Sequence, residues 1–407
     1  MIDNGPVTTQ SSKKFHRDGF TWLAYIVLGY YSYLLAILGP VIAFLVIEFG
    51  FGYTVSSMHF SAFALGMFLA GAIGYRVNKV VGRPITFWGG TIGMALGALL
   101  LSFSTTSTQS VLAVFVMGLL GSLLLVTLQA SLCDQHGDQR GLALTEGNII
   151  GSFGSSMSSW LVGLTATTIL GWRAALWLVV PTVVLFIAVY GRQRIPGAPV
   201  LAQAPDAPAS NANLKQKRGL PGIFWLFWVI GFLSVSTEWC IGFWSIDFLT
   251  KVTGLSKAEA ALVMGLYFII VMASRLVSSR LIRTLPATLL LPWQVGFVLV
   301  GFPLFWLVSE PLLSILGLLV LGIGVANLVP LNISAAIGIV PDKADLASGR
   351  LTSGSGLALL ISPFALGWLA DLVGIQPAFG FIMVLTLLVF ALTIFAYFKS
   401  KPAGELV

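Results

Sequence analysis

The sequence predicts an all-α membrane protein whose twelve transmembrane helices form two parallel six-helix repeats. Its composition is 57% hydrophobic and only 9% charged, which lies outside the range of soluble domains. Apolar runs follow one another along the chain, separated by short polar breaks, and a bilayer crossing needs about 20 such residues. The second half of the chain also repeats features of the first half. Together these observations exclude a soluble protein.

The apolar runs define the predicted spans, because only helices and closed barrels satisfy their backbone hydrogen bonds in lipid. The first six spans are residues 20–48, 54–77, 85–104, 110–132, 147–170 and 174–190. The second six are residues 222–250, 259–282, 288–308, 312–340, 352–371 and 377–398. The predicted domains are an N-terminal tail (1–19), a first bundle (20–191), a flexible linker (192–220), a second bundle (221–398) and a C-terminal tail (399–407). The linker is too poor in large apolar residues to fold.

Matched motifs in the two halves indicate a duplication. Residues 138–147 read DQRGLALTEG and residues 345–354 read DLASGRLTSG. Both segments contain Leu-Thr-x-Gly and lead into the fifth span of their half. The loops after spans two and eight are both basic. Because each half has an even number of spans, the two copies share one orientation, as in parallel-repeat transporters.

The basic residues predict the orientation in the membrane. With both termini in the cytoplasm, 19 of the 22 Lys and Arg residues lie on the cytoplasmic side, and only Arg173, Lys251 and Lys257 lie outside. This bias satisfies the positive-inside rule. It also explains the net charge of +7 without a nucleic-acid partner. We expect a multi-pass protein of the plasma or inner membrane.

The architecture resembles the major facilitator superfamily (MFS) from Phe20 to Phe398, which implies the fold of that family and transport of a small solute. Its signature after span two, roughly G-x-x-x-D-R-x-G-[RK]-[RK], is degraded here. Gly71, Arg76 and Lys79 match, whereas Tyr75 replaces the Asp and Asn78 the second Gly. The Arg in span four and the Gly-Pro pair in span five of drug–proton antiporters are absent. The acids of sugar symporters in spans one, four and ten are also absent from the span interiors, so the resemblance assigns no subclass.

Glu238 is the leading candidate for a functional residue. It lies near the middle of span seven, where inserting a carboxylate costs at least about 2.5 kcal/mol. Helical spacing puts it on one face with small or polar residues, namely Gly231, Ser234, Gly242 and Ser245. We predict that it faces a central cavity and acts in proton coupling or in binding a charged substrate. The alternative is a neutral buried acid bonded to a neighbouring hydroxyl.

Other polar and aromatic side chains within the spans are candidates to line that cavity. They are Tyr30, Tyr33, Gln129, Trp239, Trp244, Asn327 and Asn332. Each amide can equally bridge two helices. Aromatic walls with a few amides favour a small organic solute, either a neutral polar compound or an amphipathic cation. Pro330 predicts a kink in span ten.

Charged side chains near the span ends are candidates for gates. Those at the predicted cytoplasmic ends are Arg76, Lys79, Arg83, Arg140, Glu146, Arg280 and Arg283. We expect Glu146 to contact Arg140 or a basic loop. At the other side of the membrane, we expect Asp247 to pair with Lys251, four residues further along the helix.

These features predict a secondary transporter that works by alternating access and is coupled to protons through Glu238. One alternative is a uniporter in which Glu238 only recognises substrate, and another is a receptor or scaffold that does not transport. The sequence has no nucleotide-binding loop, metal-ligand cluster or nucleophile–histidine pair. It therefore predicts neither an enzyme nor a cofactor or metal. The expected partners are a small-molecule solute, protons and the lipid bilayer, without nucleic acid and with the chain as a monomer.

Overall fold

A computed structural model of the protein describes residues 15–196, 220–281, 285, 287–340 and 344–400. The first half contains α1 (Gly19–Ala36), α2 (Leu38–Phe49), α3 (Tyr53–Val81), α4 (Arg83–Ser102), α5 (Ser107–His136), α6 (Arg140–Ala166), α7 (Arg173–Trp177) and α8 (Val179–Tyr190). The second half contains α9 (Gly222–Val252), α10 (Lys257–Leu281), α11 (Ala287–Leu307), α12 (Pro311–Val325), α13 (Leu328–Ile339), α14 (Ala344–Val373), α15 (Ile375–Ala378) and α16 (Gly380–Ser400). Most of the predicted linker and most of both predicted tails lie outside the described residues.

Twelve helical crossings form the bundle. Eleven segments of the described residues are long and apolar enough to span a membrane, some of them made of two consecutive helices. The twelfth crossing is α6, whose 27 residues reach about 40 Å. It is less apolar because small residues let it approach its neighbours closely: a side chain at Gly154 would collide with the backbone of Gly29 in α1. The predicted all-α membrane fold is confirmed, and its count of twelve spans agrees with the eleven apolar segments together with α6.

Three of the crossings are interrupted by a proline. Pro40, Pro181 and Pro330 are each the third residue of the helix that follows a break, in α2, α8 and α13. A proline has no N–H to donate to the carbonyl four residues earlier, so the hydrogen-bond ladder stops there. The predicted interruption of span ten is therefore confirmed, and its break lies at Ala326 and Asn327.

The two halves pack through equivalent pairs of helices. The second crossing of the first half, α3, packs against the fifth crossing of the second half, α14. In the same way α6, the fifth crossing of the first half, packs against α10, the second crossing of the second half. This exchange is what two parallel repeats related by a two-fold pseudo-symmetry produce. We call the side where α1 begins and α16 ends the terminal face, and the other side the opposite face.

Candidate substrate and coupling site

Glu238 forms an ion pair with Arg275, which is not among the site residues predicted from the sequence. The Arg275 Nη2 atom of α10 lies 3.1 Å from the Glu238 Oε1 atom of α9. About a quarter of each side chain remains exposed, 23% for Glu238 and 30% for Arg275. Since Arg275 also donates to Ser152 of α6, in the first half, the pair lies between the halves. That both side chains face a central cavity stays a prediction.

Arg275 is held by two further hydrogen bonds. Its Nη1 atom donates to the Ser152 hydroxyl at 2.9 Å, and its Nε atom donates to the Ala326 carbonyl at 3.0 Å. That carbonyl is available because Pro330, four residues on, has no N–H to offer it. The proline break in span ten and the charged pair thus belong to one arrangement, in which a free backbone oxygen receives a guanidinium.

The assignment of Arg275 to the predicted cytoplasmic side is corrected by this geometry. Arg275 lies about 27 Å along α10 from its first residue, at about 1.5 Å per residue. Helical side chains lean toward the start of their helix, so Arg275 reaches back toward the middle of the bundle. Glu238 belongs to a helix of the opposite direction and leans toward Arg275. Without Arg275, 18 of the 22 basic residues still fall on the predicted cytoplasmic side.

Three of the predicted cavity residues have exposed surface. Trp239 follows Glu238 in α9 and is partly exposed, with its ring 4.9 Å from that of Phe243. Tyr33 is partly exposed and donates its hydroxyl to the Ala175 carbonyl at 2.7 Å. Gln129 is exposed on α5. Contact of these three residues with a solute stays a prediction.

Two of the predicted aromatic residues are buried. Tyr30 is 6% exposed and donates its hydroxyl to the Thr91 carbonyl of α4, within the first half. Trp244 is fully buried and donates its indole N–H to the Pro363 carbonyl at 3.2 Å. Its ring also packs edge-on against Phe60 of the first half. In this conformation both side chains hold helices together and do not border open space.

The two predicted asparagines are also buried and bridge helices. Asn327 donates to the Ser274 hydroxyl of α10 at 3.1 Å. Asn332 donates to the Phe227 carbonyl of α9 at 2.9 Å, and its Oδ1 atom has no hydrogen-bond partner among the described residues. These contacts agree with the alternative of helix bridging. Because Ser274 precedes Arg275, the Asn327 contact also helps to fix the helix that carries the arginine.

On the terminal face, charged residues pair within the first half. Glu146 binds Arg17 through two contacts of 2.6 and 2.8 Å. It was expected to contact Arg140 or a basic loop, but its partner belongs to the segment before α1, and the side chain of Arg140 lies outside the described part of the chain. Arg83 pairs with Asp134 of α5 at 2.7 Å, so an acid does face this loop although Tyr75 occupies the Asp position of the motif.

The remaining gate candidates have no ion pair among the described contacts. Arg76, Lys79 and Arg280 are exposed near the terminal face. Arg283 lies outside the described residues. A role for these residues in gating stays a prediction.

A buried ion pair of the second half lies near the opposite face and contacts the first half through its lysine. The Lys257 Nζ atom lies 3.2 Å from the Asp247 Oδ1 atom, and only 9% and 4% of the two side chains are exposed. Lys257 also donates to the Ala43 carbonyl of α2, in the first half. The expected pairing of Asp247 with Lys251 is therefore wrong: Lys251 is exposed and its ammonium lies 5.5 Å from the centre of the Tyr53 ring.

A carboxylate of the second half caps a helix of the first half. The N-cap residue of α3 is Gly52, which has no side chain to accept a hydrogen bond. Asp371 of α14 instead accepts the backbone N–H groups of Tyr53 and Thr54, at 2.8 and 2.7 Å, and the Thr54 hydroxyl. A negative charge is favourable at a helix N-terminus. We refer to this cap and the Lys257–Asp247 pair as the opposite-face closure.

Replacing Asp371 with leucine is expected to weaken the opposite-face closure by about 1 kcal/mol, the usual value of a helix cap. Spin labels are placed on the exposed opposite-face residues Ile169 and Leu307, one in each half. The distance between the two labels, measured by double electron–electron resonance, should then become longer. Glu310→Leu is the matched control, because Glu310 caps α12 within the second half. An equal shift in both variants would contradict the role of Asp371 between the halves.

The described residues form a membrane protein of two parallel six-helix repeats, with a partly exposed ion pair where α9, α10 and α6 meet. The chain belongs to the Major Facilitator Superfamily, whose family model matches residues 21–344. A protein of Yersinia pestis, described as an uncharacterized MFS-type transporter, is 29% identical over 193 residues. This match covers 45% of the chain and 50% of that relative, so the chain spans about half the length of the relative that it matches.

Solved transporter structures share the fold. A bacterial homolog of the human lysosomal transporter Spinster, in an inward-facing and occupied conformation, superimposes with a TM-score of 0.75 at 12% identity over 95% of this chain and 98% of that chain. A D-xylose–proton symporter gives 0.75 at 15% identity over 95% and 98%. A nucleoside transporter gives 0.69 at 16% identity over 94% and 98%. At these identities the likeness establishes the fold alone.

Proposed function

We propose that the protein is a proton-coupled secondary transporter that moves a small organic solute by alternating access, with its terminal face in the cytoplasm. One observation carries the proposal: Arg275 binds Glu238 in its own half and Ser152 in the other half at the same time. A proton on Glu238 removes the negative partner of Arg275. Because Arg275 contacts both halves, proton binding and the movement of the halves become linked equilibria.

The distribution of contacts supports a conformation that is open toward the terminal face. At the opposite face the halves are joined by the Asp371 cap, by the hydrogen bond from Lys257 to Ala43, and by the rings of Phe60 and Phe243, which stack 3.9 Å apart. The ion pairs of Glu146 and Arg83 near the terminal face stay within one half. The bacterial homolog of Spinster, which shares this fold, was solved in an inward-facing conformation, and an opening toward the terminal face would correspond to it.

Few groups besides Arg275 can influence a proton on Glu238. Three of the helices that pack against α9 carry no ionisable side chain, namely α12, α13 and α15. On α2 and α16 the charged groups lie at helix ends, where Glu48 pairs with Arg173 and Lys399 lies over Phe395. On α14, the described charged side chains of Arg350 and Asp371 also lie toward its two ends. The buried phenol of Tyr267 on α10 is the further titratable group that interacts with Glu238.

The replacement Glu238→Gln is expected to remove the pH dependence of the conformational equilibrium, since glutamine cannot exchange a proton. Spin labels at the exposed residues Val80 and Val277, near the terminal face of each half, are measured at mildly acidic and mildly alkaline pH. Cys133 and Cys240 are first replaced by alanine. The distance distribution should change with pH in this background and stay constant in Glu238→Gln.

A matched control and three other outcomes sharpen this test. Glu48→Gln removes an acid that pairs with Arg173 within the first half at 2.5 Å, and its pH response should persist. Distances that ignore pH in the parent protein would favour the uniporter. A pH response that survives in Glu238→Gln would remove Glu238 from the coupling mechanism. A scaffold would show no flux of any solute in vesicles.

A further inference from the structure

We propose that the transported solute is an organic anion whose carboxylate binds Arg275 when Glu238 is protonated. The proposal rests on the transport function above and adds the class of substrate. It differs from the neutral or cationic solute that the aromatic and amide side chains predict, because Arg275 adds a basic group to the site. Three features of the site carry it: the free donors of Arg275, the charge balance of the pair and the neighbouring aromatic surface.

Arg275 has donors to spare. A guanidinium has five N–H donors, and the described residues supply Arg275 with three acceptors: Glu238, Ser152 and the Ala326 carbonyl. One N–H on each terminal nitrogen is therefore left without an acceptor among the described residues. The side chain is also 30% exposed, at the contact between the halves. A planar fork of two N–H groups fits both oxygens of a carboxylate.

The charge of the pair selects the sign of the ligand. With Glu238 ionised, the pair is neutral. A proton on Glu238 leaves Arg275 with one net positive charge and only neutral acceptors, and a positive charge that is partly shielded from water favours a nearby negative charge. A cationic solute would add to this charge, and a neutral solute would leave it uncompensated. An anion restores the balance, so one proton and one anionic carboxylate would enter together and leave the charge of the site unchanged.

A partly exposed aromatic side chain of α9 favours an anion with an apolar part. Trp239 adjoins Glu238 in α9 and is partly exposed. Its ring lies against Phe243, which is itself buried. An aromatic or aliphatic group attached to the carboxylate could cover this exposed indole surface and gain from leaving water. Benzoate, which combines a carboxylate with one ring, is therefore a suitable probe.

The test compares benzoate with its neutral analogue benzamide and with the cation benzylammonium. Purified Glu238→Gln, which imitates the protonated acid, is held in phosphatidylcholine nanodiscs, and ligand binding is read from the shift of its thermal unfolding. Benzoate should bind this variant about tenfold more tightly than it binds the parent protein at alkaline pH, equivalent to about 1.4 kcal/mol. Benzamide and benzylammonium should produce no comparable shift.

Second variants separate the arginine from general effects of charge. Adding Arg275→Lys to Glu238→Gln keeps the charge but removes the fork, and it should weaken benzoate binding. Adding Arg350→Gln, which neutralises an exposed arginine of α14, should leave binding unchanged. Equal shifts with benzoate and benzamide, or benzoate binding that ignores Arg275, would overturn the proposal.

Three outcomes distinguish a lipid from a solute and the anion proposal from the coupling proposal. If phosphatidylglycerol in the nanodiscs competes with benzoate, the anion is a lipid headgroup and the proposed solute class is wrong. If benzoate does not bind although the Val80–Val277 distances respond to pH through Glu238, proton coupling stands and the anionic solute does not. If those distances never respond to pH, the failure lies in the proposed coupling itself.

Discussion

Replacing Lys257 with methionine is expected to open the opposite face and to destabilise the closed conformation by about 3–5 kcal/mol, because it leaves the buried Asp247 carboxylate without its partner. Only 4% of the Asp247 side chain is exposed, so water cannot take the place of the ammonium while the halves are in contact. The same change removes the hydrogen bond from Lys257 to the Ala43 carbonyl of the first half. Separation of the halves would hydrate the carboxylate.

This prediction is measured by thermal unfolding together with the distance between labels at Ile169 and Leu307. Lys251→Met is the control, because it removes a neighbouring exposed lysine that only lies over the Tyr53 ring. Adding Asp247→Asn to Lys257→Met removes both charges and should recover most of the loss, since no unpaired charge remains. If Lys257→Met and Lys251→Met behave alike, the buried pair does not hold the opposite face closed.

The second large effect is expected from Gly265→Ala, which should prevent the normal contact between α6 and α10. A Cβ atom at Gly265 would lie 1.9 Å from an indole carbon of Trp160, far inside van der Waals contact. Trp160 also donates to the Leu262 carbonyl at 3.1 Å, and Ser156 donates to the Gly265 carbonyl at 2.7 Å. Overpacking of this kind costs about 1–3 kcal/mol, and here it pushes the two halves apart.

Gly242→Ala is a matched control for this experiment, because a Cβ atom there meets nothing within 4 Å. The Ile169–Leu307 distance should lengthen in Gly265→Ala and stay constant in Gly242→Ala. Adding Trp160→Ala to Gly265→Ala removes the colliding indole and should restore the parent distance. Failure of this rescue would show that the close approach of Trp160 and Gly265 does not set the spacing of the halves.

The spans were predictable because they depend on local composition. Hydropathy and repeated loop motifs located all twelve crossings, including α6, whose Ser and Gly content makes it the least apolar of them. Pro330 located the break in span ten because a missing N–H acts on its own helix. Glu238 was found because an acid in lipid is costly wherever its partner lies. Each of these predictions needs only residues close together in the chain.

The contacts of these residues were not predictable from the sequence. They involve segments that are distant in the chain, or they depend on which side of its helix a residue lies. Arg275 was counted with the loop residues, since the counting rule ignores that a helical side chain leans back along its helix. Its position inside the predicted span 259–282, together with an acid in the preceding span, was the available signal. The cap from Asp371 to α3 links residues more than three hundred positions apart, and no sequence pattern in either segment predicts this contact. Tyr30 and Trp244 have suitable depth, but depth does not tell which way a ring points.

The break at Pro330 has a consequence for how such a site can be altered. The residue lies apart from the ion pair, yet the amide hydrogen that it lacks is what leaves the Ala326 oxygen for Arg275. Any other amino acid there would supply that hydrogen and compete with the guanidinium for the same lone pair. The electrostatics of the ion pair thus depend partly on a backbone carbonyl, that of Ala326, which a comparison of charged side chains alone would miss.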